Sequence, residues 1–127
     1  MVRLKRAYEP ATSSDGARYL VERLWPRGVK KTVLRVDAWL KDVAPSTKLR
    51  QWFNHDPKKW QEFQRQYRRE LRSNPDALRP ILTAAQEGTI TLVYSLHDSA
   101  HNNAVALKKY LEEKLAKNPG GFRKSAA

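Results

Sequence analysis

Thr89-Ile90-Thr91-Leu92-Val93-Tyr94 is the stretch that decides the fold. Its residues are β-branched, aromatic or leucine, the composition of a strand. Before it, residues 75–88 read as a helix, with Leu78, Ile81, Leu82 and Ala85 on one side and Gly88 as the stop. After it comes a polar loop, residues 95–99, and then a helix is expected from about residue 100 to 117. Ala104, Leu107, Leu111 and Leu115 face inward at helical spacing, and Asn118-Pro119-Gly120-Gly121 ends the pattern. A strand that follows one helix and precedes another is the signature of a parallel α/β sheet.

The N-terminal half supplies further strands. Val2, Leu4 and Arg6 alternate with Arg3 and Lys5, a short strand leading into Ala7-Tyr8. A second strand is expected over residues 18–25, ended by Pro26 and Gly28, with Lys30 and Lys31 in the following loop. The connection between these two strands is short for a parallel crossover. Either it holds a single helical turn or the strands pair differently.

Four helical segments follow. Residues 36–43 carry Trp39, Leu40 and Val43 at helical spacing. Ser46 is placed to cap a helix with Leu49, Trp52 and Phe53. Asn54-His55-Asp56-Pro57 breaks it, with Asp56 as cap and Pro57 in the first turn of the next helix. There Trp60, Phe63, Tyr67 and Leu71 form an apolar stripe opposite Lys58, Lys59, Arg65, Arg68, Arg69 and Arg72. The fourth segment is the helix over residues 75–88. The expected architecture is a small, mostly parallel α/β sheet of three to four strands with about five helices packed on it. Residues 1–117 form one domain, and 118–127 a flexible basic tail.

Composition bounds the function. The 127 residues include 25 Lys/Arg against 13 Asp/Glu, a net charge of +12, and 40% are hydrophobic. The basic excess leans to residues 1–50, which hold 12 Lys/Arg and 5 acids. Such a field attracts nucleotides, nucleic acid and other anions. The absence of Cys excludes disulfides, thiolate catalysis and Cys-ligated metals. No stretch reaches the length of a transmembrane helix, and no apolar segment follows the first six residues as in a secretory signal. A cytoplasmic protein without membrane attachment is expected. No motif implies a cofactor.

Three segments can carry chemistry. In Glu22-Arg23-Leu24-Trp25-Pro26-Arg27-Gly28 the end of a strand meets a turn, and ligands of parallel sheets bind outside the carboxyl ends of strands. Alternation would put Arg23 and Trp25 on one face and Glu22 and Leu24 on the other. Arg23 and Arg27 present planar forks suited to phosphate or carboxylate, and Gly28 allows close backbone approach. The structural alternative is Arg23 paired with Glu22 or Asp37 in the core. The second segment runs from Ser95 to Asn103 and opens the last helix. His101 and Asn102 are expected in its first turn, an anion-binding position, with Asp98 or Ser99 as cap. His101 has the chemistry of a general acid or base, and Asp98 that of its orienter. His97 and His101 are four apart, but without a following Glu no metal site is expected. The third is His55, at a helix end where it either reaches a shared pocket or meets the helix dipole.

These residues together resemble a known family. RYLVERLWPRGVKK at 18–31, Trp39-Leu40-Lys41, Ala44-Pro45-Ser46, Leu49-Arg50-Gln51-Trp52-Phe53, His55-Asp56-Pro57, and Asp98 with His101-Asn102-Asn103-Ala104 are similar to the bacterial YeaO-like family. That family is a branch of the domain of unknown function 488 group. The resemblance runs from Val2 to about Leu115. It implies a small cytosolic α/β domain, and its recurrent polar positions fall on Arg23, Arg27, Lys41, His55, Asp98, His101 and Asn102. Glu22 stands where the family usually has Asp, and His97 where Lys or Arg is common. Relatives outside this branch often carry a Cys near the start of the last helix, which this chain lacks.

Two functions follow as expectations. In the first, a phosphate-bearing ligand, a phosphorylated small molecule such as a nucleotide or else nucleic acid, binds where the loops after the second and last strands meet. Arg23, Trp25, Arg27, Lys41, His55 and Asn102 contact it. In the second, a Cys-independent hydrolase or transferase uses the same site, with His101 and Asp98 catalytic. A transcription regulator ranks behind both, because no helix-turn-helix pair stands out.

Overall fold

β4 (Ile90–Tyr94) is buried at every residue. It lies between β1 (Val2–Arg6) and β2 (Ala17–Leu20), and β2 pairs in turn with β3 (Ala38–Trp39). All pairings are parallel, in the order β1-β4-β2-β3. The computed structural model describes residues 1–117; the expected tail, 118–127, lies outside the described residues. Among the described residues are five α-helices: α1 (Lys31–Leu34), α2 (Thr47–Phe53), α3 (Trp60–Arg72), α4 (Pro75–Glu87) and α5 (Asn103–Lys117). No described helix is long and apolar enough to cross a membrane.

Both faces of the sheet are covered, which is why β4 reads as an unbroken run rather than an alternating one. Ile90, Leu92 and Tyr94 join Val2 in the larger core, against Phe53, Phe63, Tyr67, Ile81, Leu107 and Leu111 from the helices. Val93 and Leu20 point the other way, into a small cluster with Ala7 and Leu34, flanked by Trp25, Val29, Val36 and Trp39. The α3 stripe packs as its spacing predicts, with Phe63, Tyr67 and Leu71 buried. So do the four apolar residues of α4. Gly88 ends α4 in extended backbone, so its stop signal works without a left-handed turn.

Both readings of the first connection contribute. Residues 7–16 hold one 3-10 turn (Ser13–Asp15), and β1 and β2 do not pair because β4 runs between them. Asp15 fastens this crossover to the sheet. Its carboxylate accepts from Lys5 Nζ (2.8 Å) of β1 and Arg18 Nη1 (2.6 Å) of β2. Its carbonyl accepts from Thr91 Oγ1 (2.7 Å) of β4.

Four local expectations are corrected. β2 stops at Leu20 rather than running to Trp25, although Val21 N–H still donates to Val93 O. The next carbonyls are taken by side chains: Val21 O by Asn103 Nδ2 (2.7 Å) and Glu22 O by Trp39 Nε1 (2.6 Å). The chain therefore bends, and the strand alternation of residues 22–25 does not apply. Residues 36–43 are not a helix but β3 and a 3-10 turn (Lys41–Val43). Asp37 N and Leu40 N donate to Arg18 O and Leu20 O, so pairing with β2 overrides the helical spacing. Lys31 opens α1 instead of continuing a loop. Finally, α5 begins at Asn103, three residues later than expected.

The cap expected at Ser46 is present. Its Oγ accepts from Leu49 N (3.1 Å) and donates to Glu70 Oε2 (2.6 Å), and Ser46 N donates to Glu70 Oε1 (2.8 Å). Ser46→Ala removes the cap and one Glu70 contact, and is expected to lower stability by about 1–2 kcal/mol. Urea unfolding measures it, and a loss below ~0.3 kcal/mol would show the cap to be dispensable.

Candidate functional site

In an all-parallel sheet the carboxyl ends of the strands lie at one edge, and the loops leaving them form a shared rim. Here the segments after β1, β2 and β4 border a cleft of about 670 Å³. β1 contributes Arg6, the segment after β2 contributes residues 22–27, and the segment after β4 contributes Ser95, Leu96 and His97. The far wall comes from α2 and the turn behind it, with Arg50, Phe53 and His55. His55 follows Asn54 in left-handed backbone (φ 45° and 57°), so the α2 terminus turns sharply before Asp56 caps the next turn.

The cationic groups differ in their freedom. Arg6 braces the rim, donating from Nε to Leu96 O (3.0 Å) and from Nη2 to Ser95 O (3.2 Å). Arg23 pairs with neither Glu22 nor Asp37. Its Nε donates to Pro45 O (2.8 Å), which fixes the guanidinium and leaves its terminal nitrogens for other partners. Arg27 and Arg50 are exposed, and neither guanidinium has a hydrogen bond or ion pair among the described residues. Trp25 is anchored by its indole N–H to Val29 O (2.6 Å) and packs edge-on against Trp39 at 5.4 Å. Gly28 sits in left-handed backbone beside this wall but does not line it, so its role is the turn and not ligand approach.

Among the described residues Glu22 is the one carboxylate in the lining. Burial pushes its carboxyl above the ordinary carboxylate range, against the opposing pull of Ser95 and Arg50. Ser95 Oγ donates to Glu22 Oε1 (2.7 Å), and no cation forms an ion pair with Glu22 among the described residues.

The structure thus brings Arg23, Trp25, Arg27 and His55 together and places the other expected residues elsewhere. Asn102 is fully buried: one amide N–H donates to Asp98 O (2.9 Å) and its Oδ1 accepts from Val105 N (3.1 Å). It caps α5 and lies outside the cleft lining. Lys41 lies with its ammonium 4.0 Å above the Trp39 ring, away from the lining. Asp98 and His101 do meet, Nδ1 to Oδ2 at 2.9 Å, but in the turn before α5 and not in its first turn. Asp98 also accepts from the backbone N–H of Ala100 and His101, and these bonds hold it below the usual carboxylate range. His101 packs edge-on against Trp60 (5.4 Å), whose other ring neighbours, Phe53 and Phe63, line the cleft. The pair is therefore one ring removed from the cleft and outside its lining. Among the described residues no group of three or more His, Asp or Glu is placed to hold a metal ion.

Sequence reasoning missed Arg6 and Arg50 as wall residues, and it gave Glu22 and Ser95, which fall inside its candidate segments, no ligand-contacting role. Arg6 had a usable signal: the last residue of β1 must sit on the same edge as the other strand ends once the sheet is parallel. Arg50 had none, because only tertiary packing turns α2 toward that edge.

The family described as "Inactive DUF488-N3 subclade" (DUF488-N3i) matches residues 1–127. "Uncharacterized protein YeaO" of Escherichia coli (strain K12) is 40% identical over 110 residues, 87% of this chain and 96% of that protein. "Uncharacterized protein Rv3073c" of Mycobacterium tuberculosis (strain ATCC 25618 / H37Rv) is 38% identical over 110 residues, 87% of this chain and 92% of that protein. No solved structure matches the chain significantly.

Proposed function

The chain belongs to the DUF488-N3i family, within the YeaO-like DUF488 group, and from that premise we propose that its cleft binds a phosphate-bearing ligand of nucleotide size without turning it over. The observation that carries this reading is the wall itself. Four guanidinium groups, Arg6, Arg23, Arg27 and Arg50, line one cleft with a single carboxylate and with apolar surface from Trp25, Phe53 and Phe63. Anion forks beside aromatic faces suit a phosphate joined to a flat or apolar group. A cleft of about 670 Å³ has the size of small-ligand sites, whereas a duplex contacts a broad convex or grooved face. The family's description as inactive supports binding over turnover, as does the position of Asp98 and His101 outside the lining. In this reading the protein works in the cytoplasm, where phosphorylated metabolites are abundant, and its net charge of +12 speeds their encounter.

The test is Arg27→Ala with adenosine monophosphate as probe. Among the described residues the Arg27 side chain has no hydrogen-bond or ion-pair partner to lose, so the melting temperature stays within about 2 °C of the parent. Losing a charge-assisted hydrogen bond weakens binding at least about tenfold. Amide shifts in labelled parent protein should localise at Trp25, Arg27 and residues 95–97. Unchanged affinity in the folded variant would sink the reading. Diffuse, salt-sensitive shifts along α3 with a short oligonucleotide, and none from the nucleotide, would replace it with nonspecific polyanion binding.

A further inference from the structure

Glu22 stands out within a cleft built for anions. It is half-buried among four arginines, yet it forms no ion pair with any of them. Ser95 alone among the described residues hydrogen-bonds to it, so a carboxylate with about four lone-pair positions keeps acceptor capacity facing the cleft. A phosphate cannot use that capacity, and the negative charge weakens phosphate binding nearby. A carboxylate in this position is useful only to a ligand that also carries a donor. An ammonium donor is disfavoured by the surrounding guanidinium groups, which favours a neutral donor, and in a phosphate ester of nucleotide type the sugar hydroxyls are the neutral donors nearest the phosphate.

Resting on the phosphate-binding reading, we propose that Glu22 is the specificity-determining residue of the cleft: its carboxylate accepts a hydrogen bond from a sugar hydroxyl. The ligand is then a sugar phosphate, free or within a nucleotide, in preference to inorganic phosphate or a polyphosphate. The arginines hold the phosphate and Glu22 reads the sugar. Ser95 orients the carboxylate, and the Asn103 amide fixes the Val21 carbonyl immediately before it.

The experiment measures affinities of the full chain for four probes by calorimetry: adenosine monophosphate, its 2′,3′-dideoxy analogue, ribose 5-phosphate and inorganic phosphate. The parent prefers adenosine monophosphate over the dideoxy analogue at least about tenfold, the worth of a hydrogen bond to a charged group. In Glu22→Ala that preference falls to near one, while the dideoxy analogue and inorganic phosphate bind as well as before or better. Ribose 5-phosphate binding as tightly as adenosine monophosphate supports a free sugar phosphate; tighter nucleotide binding supports a nucleotide. Should Glu22→Ala not fold, Glu22→Gln keeps the shape and lowers the preference by at least about threefold. A preference that is absent in the parent, or unchanged in the folded variants, overturns the role of Glu22 while Arg27-dependent binding stands. Failure of every probe to bind the parent overturns both.

Discussion

Gly16→Ala is expected to destabilise the protein by about 4 kcal/mol, a large share of the stability of a domain this size. Gly16 joins the first crossover to β2 with φ +65° and ψ −144°, a conformation that only glycine adopts without strain. A Cβ there would lie 2.0 Å from Thr89 O and 2.7 Å from Thr89 C. Neither atom can move aside cheaply. Thr89 O accepts from Ala17 N (3.2 Å) at the start of the β2–β4 pairing. Relief of the clash therefore separates β2 from β4 where the two strands begin to register. Gly28→Ala supplies the control. Gly28 also has positive φ (+77°), but nothing lies within 4 Å of its Cβ position. It should lose only the backbone term, about 1 kcal/mol. The two variants melt side by side in a thermal scan, with Gly16→Ala lower by more than about 8 °C. Equal melting temperatures would mean that the crossover yields without disturbing the sheet.

That contact illustrates which parts of this fold are legible in the sequence. Periodicity and composition suffice for β4, α3 and α4, because each buries a continuous run or a stripe that reports itself in the order of residues. Caps at Ser46 and Asp56 are local chemistry and read equally well. What escapes is whatever depends on a distant partner. The end of β2 is set by Asn103 and Trp39, far along the chain, which take the next two carbonyls. β3 exists because two backbone N–H groups find β2, against a spacing that favours a helix. Asn102 looks like a ligand residue beside Asp98 and His101, and only the geometry shows both ends of its amide engaged.

The candidate site divides in the same way. Strand ends and the residue types near them locate Arg23, Trp25 and Arg27, because a parallel sheet dictates where its loops gather. The strand order β1-β4-β2-β3 then decides what joins them. It sets the ends of β1 and β2 on either side of β4, so Arg6 and Ser95 meet residues 22–27 across one rim. No local pattern encodes that order. It follows from a crossover short enough to span one strand and firmly enough held to stay there.

The hold is Asp15, and Asp15→Ala is expected to lower stability by about 3–5 kcal/mol at pH 7. Asp15 is 2% exposed and Arg18 4% exposed. Their carboxylate and guanidinium meet at 2.6 Å, and Lys5 joins from β1 at 2.8 Å. Among the described residues, removing the acid leaves the buried Arg18 guanidinium bonded to the Leu34 and Arg35 carbonyls alone. The pH dependence separates charge from packing. Burial alone would raise the Asp15 carboxyl, but hydrogen bonds from Lys5, Thr12 and Arg18 outweigh it and hold the group far below its ordinary value of 3.8. A depressed folded value means that the unfolded chain takes up the proton first. The stabilisation is therefore complete above about pH 5 and is lost progressively as pH falls below 4. Urea unfolding of parent and variant from pH 7 to pH 2.5 should show the gap between them narrowing over that acid range. A gap that stays constant would assign the loss to the missing side-chain volume and leave the ion pairs without a part in fastening the crossover.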